Sequence, residues 1–150
     1  MNPVDERIST FIQKNQVLTL ATSDGEAPYC CSIFYVFRAE KCCFYFMSSR
    51  ETKHIQQAIR QPLVAGTIVP GDTSIAKIQG IQFTGIIDQP QNEELGEAKK
   101  IYLKKFPIAR LFDSDFWSVE IDSIKMTDNT LGFGKKILWN KVSAEQEVQY

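Results

Sequence analysis

The sequence predicts a mainly β domain, an antiparallel barrel of six or seven strands with two or three flanking helices. Short runs rich in β-branched and aromatic residues recur at hairpin spacing, which is typical of antiparallel barrels. Few stretches show the spacing of apolar residues expected of helices. No repeat, low-complexity tract or linker divides the chain, so we expect residues 1–150 to form one domain.

In the first part of the chain, one predicted helix precedes three predicted strands. The segments are a helix over 3–15 and strands over 17–23, 28–37 and 42–47. Asp24-Gly25 is a strong hairpin signal between the first two strands. The second and third strands are apolar on both faces, whereas one face of an antiparallel sheet usually meets water. We therefore expect a second cover for these strands, either a helix or another subunit.

The remaining elements continue this alternation. Ser48 and Glu51 match a capping box, which predicts a helix that begins at Ser48 and that Pro62 ends. The later segments are strands over 63–69 and 75–88, a helix over 91–106, and strands over 116–126 and 134–142. Gly80 and Gly85 inside the fifth strand indicate bulges, bends or a close ligand.

Composition argues against some classes of function. The chain has 17 basic and 18 acidic residues, so it lacks the basic excess typical of nucleic-acid binders. Residues 1–15 mix both charges without an apolar leader, and no apolar run approaches the roughly 20 residues of a membrane span. We expect a cytoplasmic protein without nucleic-acid or membrane partners.

The four cysteines form two adjacent pairs, Cys30–Cys31 and Cys42–Cys43. Structural zinc sites favour cysteines that are separated by about two to four residues. Neighbouring residues on a strand point to opposite faces, so such a pair chelates one ion poorly. We therefore predict buried apolar thiols and no metal site.

The stretch "SSRETKH", residues 48–54, combines several features of a phosphate site. A helix N-terminus exposes unpaired N–H groups and carries about half a positive charge, which attracts anions. Ser48, Ser49 and Thr52 add hydroxyl donors. Lys53 adds a positive charge that is unfavourable at a helix start unless an anion lies beside it. The same pattern is also compatible with an ordinary, solvated helix start.

The strands before this stretch carry aromatic residues: Phe34, Tyr35, Phe44, Tyr45 and Phe46. A planar cofactor needs apolar walls with a few polar groups at one edge, and these residues could supply the walls. They are equally typical of a barrel core.

The order of elements resembles the FMN-binding split-barrel superfamily of pyridoxamine 5′-phosphate oxidase, whose fold is a Greek-key split barrel. The resemblance covers roughly residues 4–140. It rests on "VLTLATSDGEAPYCCSIFYVF", "FYFMSSRETKHIQQAIRQPLVAGTI", "KIQGIQFTGIID" and a helix that ends in "YLKKFP". The segments "FPIARLF" and "DNTLGFGKKILW" are similar to one uncharacterised bacterial branch of the superfamily.

The resemblance implies FMN as the cofactor and Ser48, Ser49, Thr52 and Lys53 as the residues that hold its phosphate. The strand around Phe34 and Tyr35 would follow the flavin ring through its backbone. Gln82, or less closely Gln79, would reach the polar edge of the ring.

The resemblance also implies a homodimer with flavins at the interface. The partner would then contribute a residue from its C-terminal part: Lys135, Lys136 or Trp139.

Departures from the oxidase pattern argue against vitamin B6 as the substrate. Cys31 replaces an arginine that faces the cofactor, and Val36 replaces a lysine that contacts the ring. "LGFGKK" replaces the C-terminal arginine–histidine motif. Arg110 and His54 are candidate substrate contacts, with a surface arginine and a structural histidine as the alternatives.

The sequence therefore predicts an FMN-binding protein that acts as a flavin-dependent oxidoreductase on a small molecule. Because a flavin carries the electron chemistry, the missing nucleophile or acid–base pair does not argue against an enzyme. The alternative is a non-catalytic split barrel that binds flavin or another ligand. A polymer-binding barrel is disfavoured by the net charge of −1.

Overall fold

The computed structural model describes residues 1–132 and 134–142, which form one curled antiparallel sheet of eight strands with three α-helices against it. The strands are β1 Val17–Ser23, β2 Pro28–Phe34, β3 Val36–Arg38, β4 Cys43–Ser48, β5 Leu63–Ile68, β6 Gln79–Asp88, β7 Asp115–Asp128 and β8 Lys136–Asn140. The α-helices are α1 Glu6–Lys14, α2 Lys53–Arg60 and α3 Asn92–Lys105. Short 3-10 helices cover Ala39–Lys41, Ile75–Lys77, Pro107–Leu111 and Asn129–Leu131. The predicted mainly β class is confirmed.

The strand order explains why the sheet closes into a split barrel. The order is β2-β1-β5-β6-β7-β4-β3, so two strands that are consecutive in the chain lie at opposite ends of the sheet. Only Tyr35 separates them, and the sheet must therefore curl until its ends meet. β7 pairs with β4 through its first half and with β8 through its second half. This change of partner divides the barrel.

The break at Tyr35 is a correction to the predicted strand over 28–37. The Tyr35 side chain is fully buried, and its hydroxyl donates to the Ile12 carbonyl at 2.6 Å. Its backbone N–H leaves the ladder and donates to the Gln16 carbonyl at 3.0 Å. The chain thus turns inward for one residue, which makes two strands from one and raises the count of described strands to eight.

Aromatic rings fill the middle of the barrel. Phe44 contacts the rings of Tyr35, Phe37 and Phe83 at centroid distances of 5.1, 5.6 and 4.9 Å. Such tilted and edge-to-face contacts are favourable beyond the area that they bury. The predicted wall residues Phe44, Tyr45 and Phe46 are fully buried, and so they belong to the core.

Helix α1 closes one end of the barrel. Its apolar side, formed by Ile8, Phe11 and Ile12, is buried in the core. Asp5 caps the helix by accepting from the Arg7 N–H at 2.9 Å, which satisfies one of the free amides of the first turn. The cap explains why the helix begins three residues later than the predicted start.

Helix α3 supplies the second cover that the sequence requires for β4. The first four residues of β4 are buried, and α3 contacts β4, β3 and β7. Lys105 at the end of α3 donates to the carbonyls of Asn15 and Tyr35 at 2.9 and 3.2 Å. By contrast, β2 keeps the side chains of Tyr29 and Phe34 exposed.

Strand β6 confirms one of the two predicted irregularities. Its register with β7 shifts between Thr84 and Gly85. Gly85 also allows a close approach of the two strands, because a Cβ there would overlap the Glu120 carbonyl. The register runs without a shift through Gly80. The predicted start at Ile75 is wrong, since Ile75–Lys77 forms a 3-10 helix before the strand. Among the described residues, no helix has the length and apolar character needed to cross a membrane.

Candidate functional site

The turn between β4 and α2 differs from the predicted capping box. Ser48 is the last residue of β4, and α2 begins only at Lys53. Thr52 is the N-cap, and its Oγ1 accepts from the Ile55 N–H at 3.4 Å. The Thr52 N–H donates to the Ser49 carbonyl at 3.2 Å, which closes a tight turn before the helix. The capping box fails because this turn lies between the strand and the helix.

Three side chains converge inside this turn, and we call Ser48, Thr52 and His54 the turn cluster. Ser48 Oγ lies 2.7 Å from His54 Nε2, and Thr52 Oγ1 lies 3.3 Å from the same nitrogen. Trp117 fixes the strand end by donating from Nε1 to the Ser48 carbonyl at 2.9 Å. The Thr52 hydroxyl donates to the Ser49 carbonyl at 2.8 Å. Partial burial lowers the pKa of His54, so the imidazole is neutral near pH 7.

Charges around the turn cluster are predominantly positive. Lys53 is exposed and places Nζ over the Tyr29 ring, 4.7 Å from its centroid. Arg50 lies over the Trp117 ring at 5.2 Å, whereas the Glu51 carboxylate accepts from Ser49 Oγ. As the first two residues of α2, Lys53 and His54 have N–H groups without an acceptor inside the helix. The turn therefore combines two cations, free amides and hydroxyls at a positive helix end.

The structure separates the two aromatic residues assigned to the cofactor. Phe34 is 54% exposed at the end of β2, and its ring meets Phe106 edge-on at 5.5 Å. Phe34 also lines a cavity together with Met47, the residue before Ser48. Tyr35 lies in the core, where Lys105 and Gln16 occupy its carbonyl and amide. Its side chain is therefore not available to a surface ligand.

Gln82 and Lys135 lie near the end of β7 opposite to the end that pairs with Ser48. Ser48 pairs with the first residue of β7, whereas Gln82 pairs with Lys125, ten positions further along that strand. At about 3.3 Å per residue, the separation along the strand is on the order of 33 Å. Lys135 follows the far end of β7 and is exposed. Trp139 is buried, with Nε1 donating to the Asn2 carbonyl.

An uncovered face of the sheet carries Gln82, and we call it the outer sheet face. It consists mainly of small and polar side chains, and the residues that define it are Thr19, Ala21, Thr67, Gln82, Thr84, Ser123 and Lys125. Together with Cys30 it lines a groove of about 600 Å³. Gln82 is three strands from Ser32 in the same cross-strand row, which is about 14 Å.

Arg110 belongs to a part of the structure that sequence reasoning only touched. It is exposed in the 3-10 helix Pro107–Leu111, beside the cavity that Phe34 lines. The cavity lies between the end of α3, this 3-10 helix and the ends of β2 and β4. The many apolar residues of "YLKKFPIARLF", on both sides of the proline that ends the helix, were the sequence signal that could have indicated this cavity.

The cysteines match the predicted buried thiols only in part. Cys42 and Cys43 are buried, Cys31 is half-buried, and Cys30 is exposed. Burial raises the pKa of Cys31 to about 11 and that of Cys42 to about 12, which keeps both as thiols near neutral pH. Among residues 1–132 and 134–142, no group of three potential metal ligands is present.

The sequence is similar to that of a known bacterial protein. The chain is 39% identical over 140 residues to the UPF0306 protein YhbP of Escherichia fergusonii. The match covers 93% of this chain and 95% of that protein. No family model matches the chain.

Solved structures share the fold at low sequence identity. A heme-binding protein of Mycobacterium smegmatis superposes with a TM-score of 0.72 at 18% identity, over 84% of this chain. The chain spans about half, 53%, of that protein. A candidate pyridoxamine 5′-phosphate oxidase of Listeria innocua superposes with a TM-score of 0.65 at 16% identity, over 81% of this chain and 95% of that protein. These likenesses confirm the predicted split-barrel fold.

Proposed function

The chain belongs to the UPF0306 family, and from this premise and its split-barrel fold we propose that it is an FMN-binding protein. The phosphate of FMN would bind at the β4–α2 turn. The protein would then act as a flavin-dependent oxidoreductase on a small molecule.

The observation that carries the proposal is the donor set of the turn. The amides of Lys53 and His54 offer hydrogen bonds to a dianion, and Lys53 offers a full positive charge. The hydroxyls of Ser49 and Thr52 donate to the Glu51 carboxylate and the Ser49 carbonyl, and they would turn from these acceptors to a bound phosphate. Arg50 lies close by and adds a second cation. These residues are chemically suited to a phosphate monoester even though Cys31 stands where the resemblance calls for an arginine.

The rest of the chemistry divides between the cofactor and the chain. FMN supplies the acceptor and donor of electrons when it is bound. The chain binds and orients it. In the turn cluster, His54 Nε2 lies within hydrogen-bond distance of Ser48 Oγ and Thr52 Oγ1, and the Thr52 hydroxyl donates its own proton to the Ser49 carbonyl at 2.8 Å. The Ser48–His54 hydrogen bond lies next to the proposed phosphate position.

A homodimer is part of the proposal. Lys135 follows the end of β7 opposite to the one that pairs with Ser48, which supports a second copy as the source of this side chain at the flavin. A second copy packed on the outer sheet face would place its own Lys135 or Lys136 near the flavin. Light scattering at micromolar concentration tests this, and a monomer that still binds FMN at full affinity argues against an interfacial flavin.

The main test is a titration of the purified protein with FMN, read by visible absorption and flavin fluorescence. Lys53→Ala should weaken binding about 10- to 150-fold, because a lost charge-assisted hydrogen bond costs about 1.5–3 kcal/mol. Ser49→Ala should reduce the free energy of FMN binding by less, about 1 kcal/mol. Lys99→Ala, which removes an exposed lysine of α3, is the matched control and should leave the affinity unchanged. Equal affinity in the two lysine variants would remove Lys53 from the site.

A second candidate is a non-catalytic split barrel that binds flavin or heme. The heme-binding protein of Mycobacterium smegmatis supports it, because it shares the fold. Parallel titrations with FMN and hemin compare the two ligands directly. If FMN binds, its reduced form is mixed with a panel of acceptors under anaerobic conditions. Reoxidation by a member of the panel favours the enzyme, and reoxidation by oxygen alone favours the non-catalytic protein.

A further inference from the structure

The cavity at the end of α3 has the size and lining of a small-molecule site. Its volume is about 610 Å³, which lies within the usual range of roughly 300–1,000 Å³ for ligand pockets. Phe34, Met47, Tyr102 and Phe106 form its back, and Leu111 and Phe112 form its open side. None of the contacts described for the turn cluster involves these six side chains.

The back of the cavity is already ordered. Tyr102 is buried, and its hydroxyl donates to the Phe34 carbonyl at 3.2 Å, which ties α3 to the end of β2. The Phe106 ring meets Tyr102 at 5.1 Å and Phe34 at 5.5 Å. Aromatic walls that are fixed in this way favour flat ring systems, because rings pack edge-on or offset against them without rearrangement.

The open side exposes apolar surface to water. Leu111 is 80% exposed and Phe112 is 64% exposed, and both line the cavity. Large apolar side chains grouped at the mouth of a cavity indicate a surface that a bound molecule covers. A ligand that covers them gains the hydrophobic free energy that the free protein lacks.

The charge of the cavity opposes anions. Asp113 is the charged residue among the described residues that line it. Arg110 lies beside the cavity on the exposed 3-10 helix but is not one of its lining residues. Lys105, on the last turn of α3, donates to the carbonyls of Asn15 and Tyr35 instead. Inside the cavity, a phosphate or carboxylate would lose its water without gaining a cation from the lining, and Asp113 would repel it.

We propose that this cavity binds a planar, uncharged aromatic molecule. Met47 lines the cavity and precedes Ser48 of the turn cluster, so the two sites adjoin. A second part of the proposal rests on the proposed function: planar uncharged aromatic compounds are the substrate class of the flavin site. The binding itself does not require flavin.

Two fluorescent probes with the same ring system test the proposal. N-phenyl-1-naphthylamine is uncharged, and 8-anilino-1-naphthalenesulfonate carries a sulfonate on that skeleton. The neutral probe should bind to one saturable site per chain, and the sulfonate should bind at least about tenfold more weakly, a difference of about 1.4 kcal/mol. Asp113→Asn removes the negative charge, so it should reduce the difference in affinity between the two probes. Absence of saturable binding by the neutral probe, or equal or tighter binding of the sulfonate, overturns the proposal.

Variants place the probe in this cavity. The double variant Leu111→Ser with Phe112→Ser removes two exposed side chains, so it leaves the core intact, and should weaken the neutral probe about tenfold or more. Ile75→Ser is the control, because Ile75 is 87% exposed and lies on the 3-10 helix before β6. Equal effects of both changes would locate the probe elsewhere and overturn the proposal.

The flavin titration is read separately by absorption. Lys53→Ala should weaken FMN and leave the neutral probe unchanged. Probe binding without FMN binding supports the cavity assignment and rejects the proposed cofactor. FMN binding without probe binding rejects the cavity assignment alone. Strict competition between FMN and the probe overturns the inference, because the flavin itself would then fill the cavity.

Discussion

Replacing Gly66 by alanine should destabilise the protein strongly. Gly66 lies in β5 between β1 and β6. A Cβ at this position would lie 2.6 Å from Phe83 Cε1 and still closer to Phe83 Cζ and the Thr19 carbonyl oxygen. The Phe83 ring cannot move away freely, because it packs on Phe44 at 4.9 Å.

The expected loss follows from these contacts. Overpacking a filled core costs typically about 1–3 kcal/mol. The loss of unfolding free energy in Gly66→Ala should lie at the upper end of this range, about 3 kcal/mol. The Thr19 carbonyl belongs to a neighbouring strand and cannot rotate aside. For a chain of this size the loss corresponds to roughly 6–12 °C in Tm.

Urea unfolding followed by circular dichroism measures the effect, with Gly96→Ala as the matched control. Gly96 lies inside α3, and a Cβ there meets nothing within 4 Å. Alanine is the better helix former, so Gly96→Ala should stabilise the protein by about 0.5–1 kcal/mol. If Gly66→Ala unfolds at the wild-type midpoint, the packing of β5 against Phe83 is not as described.

Three further predictions concern the site and its supports. Lys53→Ala should weaken FMN binding about 10- to 150-fold against the Lys99→Ala control, as argued above. For His54, burial lowers the pKa in the folded state below its ordinary value of 6.5, so the unfolded chain takes up the proton first as the pH falls. The stability that the neutral ring contributes should be fully present above pH 6.5 and be lost as the pH falls through the folded pKa. Urea titrations between pH 7.5 and about 5 should show this loss, and His54→Gln should flatten it; an unchanged profile in the variant would assign the loss to other groups. Lys105→Met should lower the free energy of unfolding by about 1.5–3 kcal/mol, because two charge-assisted hydrogen bonds to carbonyls disappear. Lys104 is exposed, so Lys104→Met should change the free energy of unfolding by no more than about 0.5 kcal/mol. Equal effects of the two lysine changes in urea unfolding would contradict the role of Lys105.

Most of the fold could be predicted from the sequence, because its signals are local. The strand over 17–23 matches β1 residue for residue, since alternation and the Asp24-Gly25 hairpin fix both of its ends. The break at Tyr35 could not be predicted, because it depends on a hydrogen bond to Ile12, 23 residues away. The start of α2 was wrong for a related reason. Thr52 and Ser48 both suit an N-cap, and only the turn that follows β4 decides between them.

The candidate site was predicted less completely than the fold, because its residues are set by distances along strands. The stretch 48–54 lies within one turn, and the sequence brought its members together correctly. Gln82 and Lys135 were assigned to the same site, and they lie opposite positions ten and thirteen residues along β7 from the partner of Ser48, a path on the order of 33–43 Å along a curled strand, so their assignment stays a prediction.

The length of β7 links the proposed site to the proposed dimer. One chain holds the turn cluster at the first residue of β7 and exposes Gln82 on the outer sheet face near its other end. The route across β2, β1 and β5 is shorter, because Lys53 lies over the Tyr29 ring and Gln82 is three strand spacings, about 14 Å, from Ser32. Gln82 on the flavin of its own chain and Gln82 on the flavin of a second copy are the two arrangements to distinguish, and we predict the second. Gln82→Ala should then weaken FMN binding in the dimer, whereas mixed dimers of Lys53→Ala and Gln82→Ala chains should regain one intact site. Titration of such mixed dimers to half of the wild-type stoichiometry would support shared sites, whereas two weakened sites and no intact one would place Lys53 and Gln82 of one chain on the same flavin.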